Sequence, residues 1–186
     1  MATKPLDPQG LIEGLEWGTR RQFLRFANQL FRETSLRLEV RSGRRTCKEQ
    51  NQIYARGRTT GGGIQTHARG CQSWHTIGRA VDAYVITPAG RRSTNQADYE
   101  KAGRLWEAEF GGVWGGDFKG FGPGGDAGHF EYHPGLKIAD VCPDPSQCEA
   151  SVAVWGRSDR PIPVALVAAA GALLGLGGAW IYWRMR

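Results

Sequence analysis

His75 and Asp82, and further along Asp126 and His129, are the residues of this chain whose types and spacing could do chemistry. They stand in the stretches SWHTIGRAVDAY and GGDAGHFEYHP. Two histidines and one carboxylate can hold a zinc ion on three sides and leave a fourth position for water. An acid three residues before the last histidine is placed to take a proton from that water. The chemistry indicated is metal-assisted hydrolysis, with a peptide as the leading substrate.

Such side chains have to be delivered by a folded body. The chain has 186 residues, 40% of them hydrophobic, which suits one core of ordinary size rather than two large domains. Across 16–34, Phe23, Phe26, Ala27, Leu30 and Phe31 recur at helical spacing and form an apolar stripe. Leu36, Leu38 and Val40 then alternate with charged residues, as in a strand with one buried face. Thr46 is the expected N-cap of a helix running through Arg56, with Gly57 as its stop. Val81 to Ile86 reads as a core strand, 98–110 as a helix, and His129 to Tyr132 as a short strand ending before Pro134. Helices and short strands mixed without regular alternation give an α+β class. Gly78 suits a turn between His75 and Asp82, and Ala80 leaves room beside the site.

Charge and cysteines bound the partners. The net charge of +6 favours an anionic partner such as acidic lipid or cell wall. The arginines are scattered and no aromatic-basic module occurs, so nucleic acid is not expected. The 27 glycines cluster at 61–63, 111–116 and 120–128, in loops that approach a ligand or simply turn. Cys142 and Cys148 flank a short loop and could bridge it, and Cys47 could pair with Cys71. The four cysteines allow three pairings, and free thiols are the alternative in a reducing compartment.

From Pro163 to Trp183 the chain reads PVALVAAAGALLGLGGAWIYW, with no charge, which is the length of a bilayer-spanning helix. Trp180, Tyr182 and Trp183 suit an interface at one end. Arg157 and Arg160 before the span balance Arg184 and Arg186 after it, so orientation stays open. Gly171, Gly175 and Ala179 form a small-residue row that permits self-association. The N-terminus lacks a basic start followed by an apolar run, so no signal peptide is expected. The expected layout is therefore a catalytic domain over 1–135, a linker over 136–160 and a membrane anchor over 161–186. That layout describes a single-pass protein of a bacterial inner membrane.

The chain resembles the zinc peptidases grouped around D-alanyl-D-alanine carboxypeptidases, D-Ala-D-Ala dipeptidases and phage L-alanyl-D-glutamate endolysins. The resemblance is carried by Ser73-Trp74-His75 with Asp82, by Trp114-Gly115-Gly116-Asp117, and by Asp126 with His129. Upstream, Arg45-Thr46, Glu49-Gln50, Ile53-Tyr54 and Gly57-Arg58 match the family's stretch of the same kind, so it covers roughly 20–135. It implies a small mixed sheet with flanking helices and Zn2+ held by His75, Asp82 and His129. Asp126 is implied as general base, and Arg45 as the group that steadies an oxyanion or a substrate carboxylate. Ser73, Gln50 and Trp114 are implied substrate contacts. The glycine before His129 departs from the pattern and suggests a more mobile third ligand, and the run 120–128 reads as a lid or an insertion.

Neighbouring residues read differently. HFEYH is not the helical His-Glu-x-x-His signature, so His133 is expected in a supporting role and His67 exposed. Asp117 competes with Asp126 as base, and the family's Asp-x-x-His favours Asp126. The implied activity is hydrolysis of peptidoglycan stem peptides at the L-alanyl-D-glutamate bond, as in endolysins of phage lysis. D-Ala-D-Ala carboxypeptidase action and a non-catalytic, zinc-stabilised wall-binding module are the alternatives, and a membrane-permeabilising role of 163–183 is a third. The presence of Asp126 and Arg45 favours an enzyme.

Overall fold

The computed structural model describes residues 5–145 together with Cys148. The expected membrane span, its small-residue row and most of the segment leading to it lie outside the described residues. Among the described residues no helix is long and apolar enough to cross a membrane.

The first long helix, α1 (Trp17–Thr34), starts where the Glu16 side chain accepts the Thr19 N–H and stops at Ser35, in the left-handed conformation. Its stripe of Phe23, Phe26, Ala27 and Leu30 is buried. Strand β1 (Arg37–Ser42) follows, then α2 (Cys47–Ala55), opened by a capping box between Thr46 and Glu49. Next come β2 (Ala80–Ile86) and α3 (Gln96–Phe110), and then two short strands, β3 (Val113–Trp114) and β4 (His129–Glu131). A single turn, α4 (Ile138–Val141), closes the described part.

The strands form one sheet in the order β1-β2-β4-β3. The expected mixed sheet proves antiparallel in every strand pairing, with only a parallel bridge from Leu6 to Glu39 at its edge. The main core lies between the sheet and helices α1 and α3. Phe26 packs on Trp106, Phe110 and Phe130, while Leu38, Val40, Val81, Ala83 and Val85 enter from the strands. A second cluster gathers Trp74, Ile77, Ala80, Val141 and the cysteines. Both bridges read as options in the sequence are formed, Cys47 with Cys71 and Cys142 with Cys148. Leu136 and Ile138 pack against this cluster, so the chain stays on the body past residue 135.

Candidate active site

Strand periodicity sorts the site from the core. Val81, Ala83 and Val85 face the core, so Asp82 and Tyr84 between them face the other side of the sheet. On β4, Phe130 enters the core and His129 and Glu131 take the opposite face. The register pairs Asp82 directly with His129. His75 arrives from a turn held to the start of α2, where the Arg45 N–H donates to the His75 carbonyl.

The three side chains converge. Asp82 Oδ1 lies 2.8 Å from His129 Nδ1 and 3.2 Å from His75 Nε2, and the two ring nitrogens are 3.3 Å apart. Each ring is oriented from behind. His75 Nδ1 donates to the Gly43 carbonyl at 2.7 Å, and His129 Nε2 donates to Glu131 Oε1 at 2.9 Å. A neutral imidazole that donates from one nitrogen offers a lone pair at the other. With both rings neutral, two lone pairs and a carboxylate oxygen point at one another, an arrangement that a shared cation satisfies and that a proton on His129 Nδ1 satisfies in its absence. The spacing suits zinc, because ligands at about 2.0 Å in a tetrahedron lie about 3.3 Å apart. The donor set and the outward hydrogen bonds thus fit the ion the resemblance implies.

Further residues hold this centre. Arg45 binds Asp82 Oδ2 through Nη2, Ser42 Oγ through Nε at 2.9 Å and Gln50 Oε1 through Nη1 at 3.1 Å. Glu131 is shared by His129 and by His133 at 2.8 Å, and His133 stacks on Trp74 with ring centroids 4.1 Å apart. Glu131 was given no role in the sequence, where HFEYH reads as a failed signature. Its signal was the two-residue spacing from His129, which puts both on one face of a strand.

The electrostatics follow. Burial would push the His129 ring down, but its bonds to Asp82 and Glu131 outweigh burial and raise it to about 10. Burial would raise Asp82, yet the His75 charge and bonds from both histidines hold it well below the usual carboxylate range. For Glu131 the bonds from His129 and His133 overcome burial and lower it to about 2. Asp126 is raised, by burial first and the Asp82 charge second.

Asp126 lies on the wall of the same cleft. Its N–H donates to the Gly115 carbonyl at 2.7 Å, and its own carbonyl accepts the His129 N–H at 2.9 Å. A Cβ on Gly115 would sit 2.5 Å from the Asp126 carbonyl oxygen and 2.8 Å from His129 Cβ, so only glycine lets these segments meet. The glycine before His129 is not a loosening: Gly128 accepts the Ala83 N–H at 2.8 Å, and a Cβ there would press on the Ala83 carbonyl.

Two expected substrate contacts are corrected. Trp114 is 2% exposed, its indole N–H donating to the Ala127 carbonyl at 2.8 Å, so it supports the loop from within the core. Gln50 is 0% exposed and spans from Arg45 to Thr66 and the Ala68 carbonyl. Ser73 does line the cleft, and its hydroxyl accepts the His75 N–H at 3.3 Å. Asp117 is clamped by Arg104 at 2.6 and 2.9 Å, away from the cleft. His67 is exposed, at the cleft rim against Phe121. The cleft itself holds about 880 Å3, with β1, β2 and the start of α3 on one flank and α2 with residues 65–74 on another.

The segment that carries this site is similar to the D-alanyl-D-alanine carboxypeptidase family, whose model matches residues 66–132. That match takes in His75, Asp82, Asp126 and His129 and leaves Arg45 and Gln50 outside. Among curated relatives, the peptidoglycan L-alanyl-D-glutamate endopeptidase CwlK of Bacillus subtilis (strain 168) is 32% identical over 91 residues. The aligned part is 44% of this chain and 54% of the relative, so the chain spans about half the length of that relative. Among solved structures, the L-Ala D-Glu endopeptidase ChiX of Serratia marcescens is similar with a TM-score of 0.46 and 22% identity. It covers 67% of this chain and 85% of that one.

Proposed function

We propose that this protein is a zinc-dependent peptidase that hydrolyses peptidoglycan stem peptides at the L-alanyl-D-glutamate bond. The observation that carries the reading is the meeting of three inward-facing acceptors, His75 Nε2, His129 Nδ1 and Asp82 Oδ1, each oriented from behind. Bound between them, zinc would bring the pKa of a water ligand down to about 7 and polarise a carbonyl. Asp126 takes the proton from the attacking water and returns it to the leaving amine. Burial favours this shuttle by holding its carboxyl above the ordinary value. Arg45, on the cleft wall, keeps Asp82 turned toward the histidines.

The family match and the named activity of the Bacillus subtilis relative support this substrate class. The cleft, about 880 Å3 and lined from β1, β2, α2 and the start of α3, has room for peptide residues around the scissile bond. A role in wall lysis, with residues 163–183 as a membrane anchor, completes the reading.

The test is mass spectrometry of products after the full chain acts on purified peptidoglycan, beside Asp126→Ala and a chelated sample. New D-glutamate amino termini, absent from both controls, are the expected result. Free D-alanine would assign the carboxypeptidase instead. Tight zinc binding with intact wall would leave the non-catalytic wall-binding module.

A further inference from the structure

The cleft carries a cation that the proposed reaction does not use. Strand β1 pairs Val40 with Ala83 and Ser42 with Asp82, so Arg41 is the extra residue of a β-bulge. Bulges beside active sites re-aim a side chain. Here Arg41 lines the cleft, and its guanidinium lies 4.9 Å from the centre of the Tyr84 ring. It is exposed and makes no ion pair with any described residue.

The other guanidinium groups on the cleft wall, and Glu131, are engaged. Arg45 serves Asp82, Gln50 and Ser42, and Glu131 serves two histidines. Arg56, on the α2 flank, is engaged by Gln65 at 3.2 Å. Arg41 instead stands on the flank of Tyr84, near enough for its charge to act on Asp126. A guanidinium beside an aromatic ring on a cleft wall suits a carboxylate that brings two oxygens.

We propose that Arg41, presented by the β1 bulge and backed by Tyr84, forms a subsite for a free carboxylate on the substrate beside the scissile bond. The ligand class is an acidic peptide, and the proposal rests on the peptidase reading of the same cleft. It makes the protein a reader of substrate charge: an acid whose carboxylate is converted to carboxamide is a poorer substrate.

The test uses zinc-loaded full chain and two synthetic peptides. One is L-Ala-γ-D-Glu-L-Lys-D-Ala, and the other carries a carboxamide in place of the glutamate α-carboxylate. The unaltered protein is expected to favour the acid in kcat/KM by about tenfold or more, the worth of a charge-assisted pair. Arg41→Gln brings that ratio close to one, and Arg41→Lys keeps part of it. An unchanged ratio, or an equal loss on both peptides, overturns the subsite, since equal loss means Arg41 only serves Asp126. Calorimetric binding of both peptides to zinc-loaded Asp126→Asn separates the two readings. Arg41-dependent preference for the acid without turnover in the unaltered protein keeps the subsite and sinks the peptidase; no preference in binding or turnover sinks the subsite.

Discussion

Asp82 and His129 stand directly opposite one another on β2 and β4, with Oδ1 of the first 2.8 Å from Nδ1 of the second. The strand register alone thus builds two corners of the candidate metal site. His75 supplies the third from a turn. This arrangement places one corner under loop control and two under sheet control.

Metal binding should release a proton. In the metal-free protein His129 is raised to about 10, so at pH 7 it holds a proton that must leave before Nδ1 can coordinate. Zinc affinity should therefore rise about tenfold per pH unit between roughly 7 and 9. Calorimetry in buffers of different ionisation enthalpy should register about one proton released per zinc. Zero release at pH 7 would contradict the assignment.

The same shift sets a stability window for the metal-free protein. Because the folded value lies above the ordinary 6.5, the His129 contribution is fully present below that pH and is lost as pH rises through about 10. Chemical denaturation in chelator at pH 6 and pH 10 should show the loss. His129→Gln should flatten it.

Glu131→Gln keeps the shape but removes the charge behind His129 and His133. Zinc affinity should fall about 10- to 100-fold, as for other outer partners of metal-bound histidines. Competition with a chromogenic chelator measures it, and an unchanged affinity would reduce Glu131 to a packing role.

If Asp126 is the proton shuttle of the proposed reaction and not a ligand, Asp126→Ala should lower kcat by about 10²–10⁴ while zinc still binds. Parallel zinc titration and peptide turnover distinguish this from collapse of the site.

Gly115→Ala should cost roughly 1–3 kcal/mol, since the added methyl meets the backbone of Asp126 and Cβ of His129. Thermal denaturation reads the cost.

Much of the fold was legible. The apolar stripe of α1, the alternation of β1, the Thr46 N-cap and the apolar run of β2 each follow from local periodicity and capping chemistry. The trio that converges was legible too, because His75, Asp82 and His129 carry both a coordinating type and a recognisable spacing. Trp114 and Gln50 were misjudged for a common reason: a motif marks where a residue is needed, not whether it faces the substrate or the core. Glu131 was passed over because its role depends on a strand placing it behind His129.

The sequence by itself determined the ligand chemistry, the helices and the candidate membrane span, since each depends on composition and short-range spacing. Only the tertiary structure decided that the sheet is antiparallel, that Asp82 faces His129, and that Arg45 is committed to Asp82. It also decided that Arg41 sits on a bulge at the cleft. These depend on which strand lies beside which, and on a one-residue shift in register that no local pattern encodes.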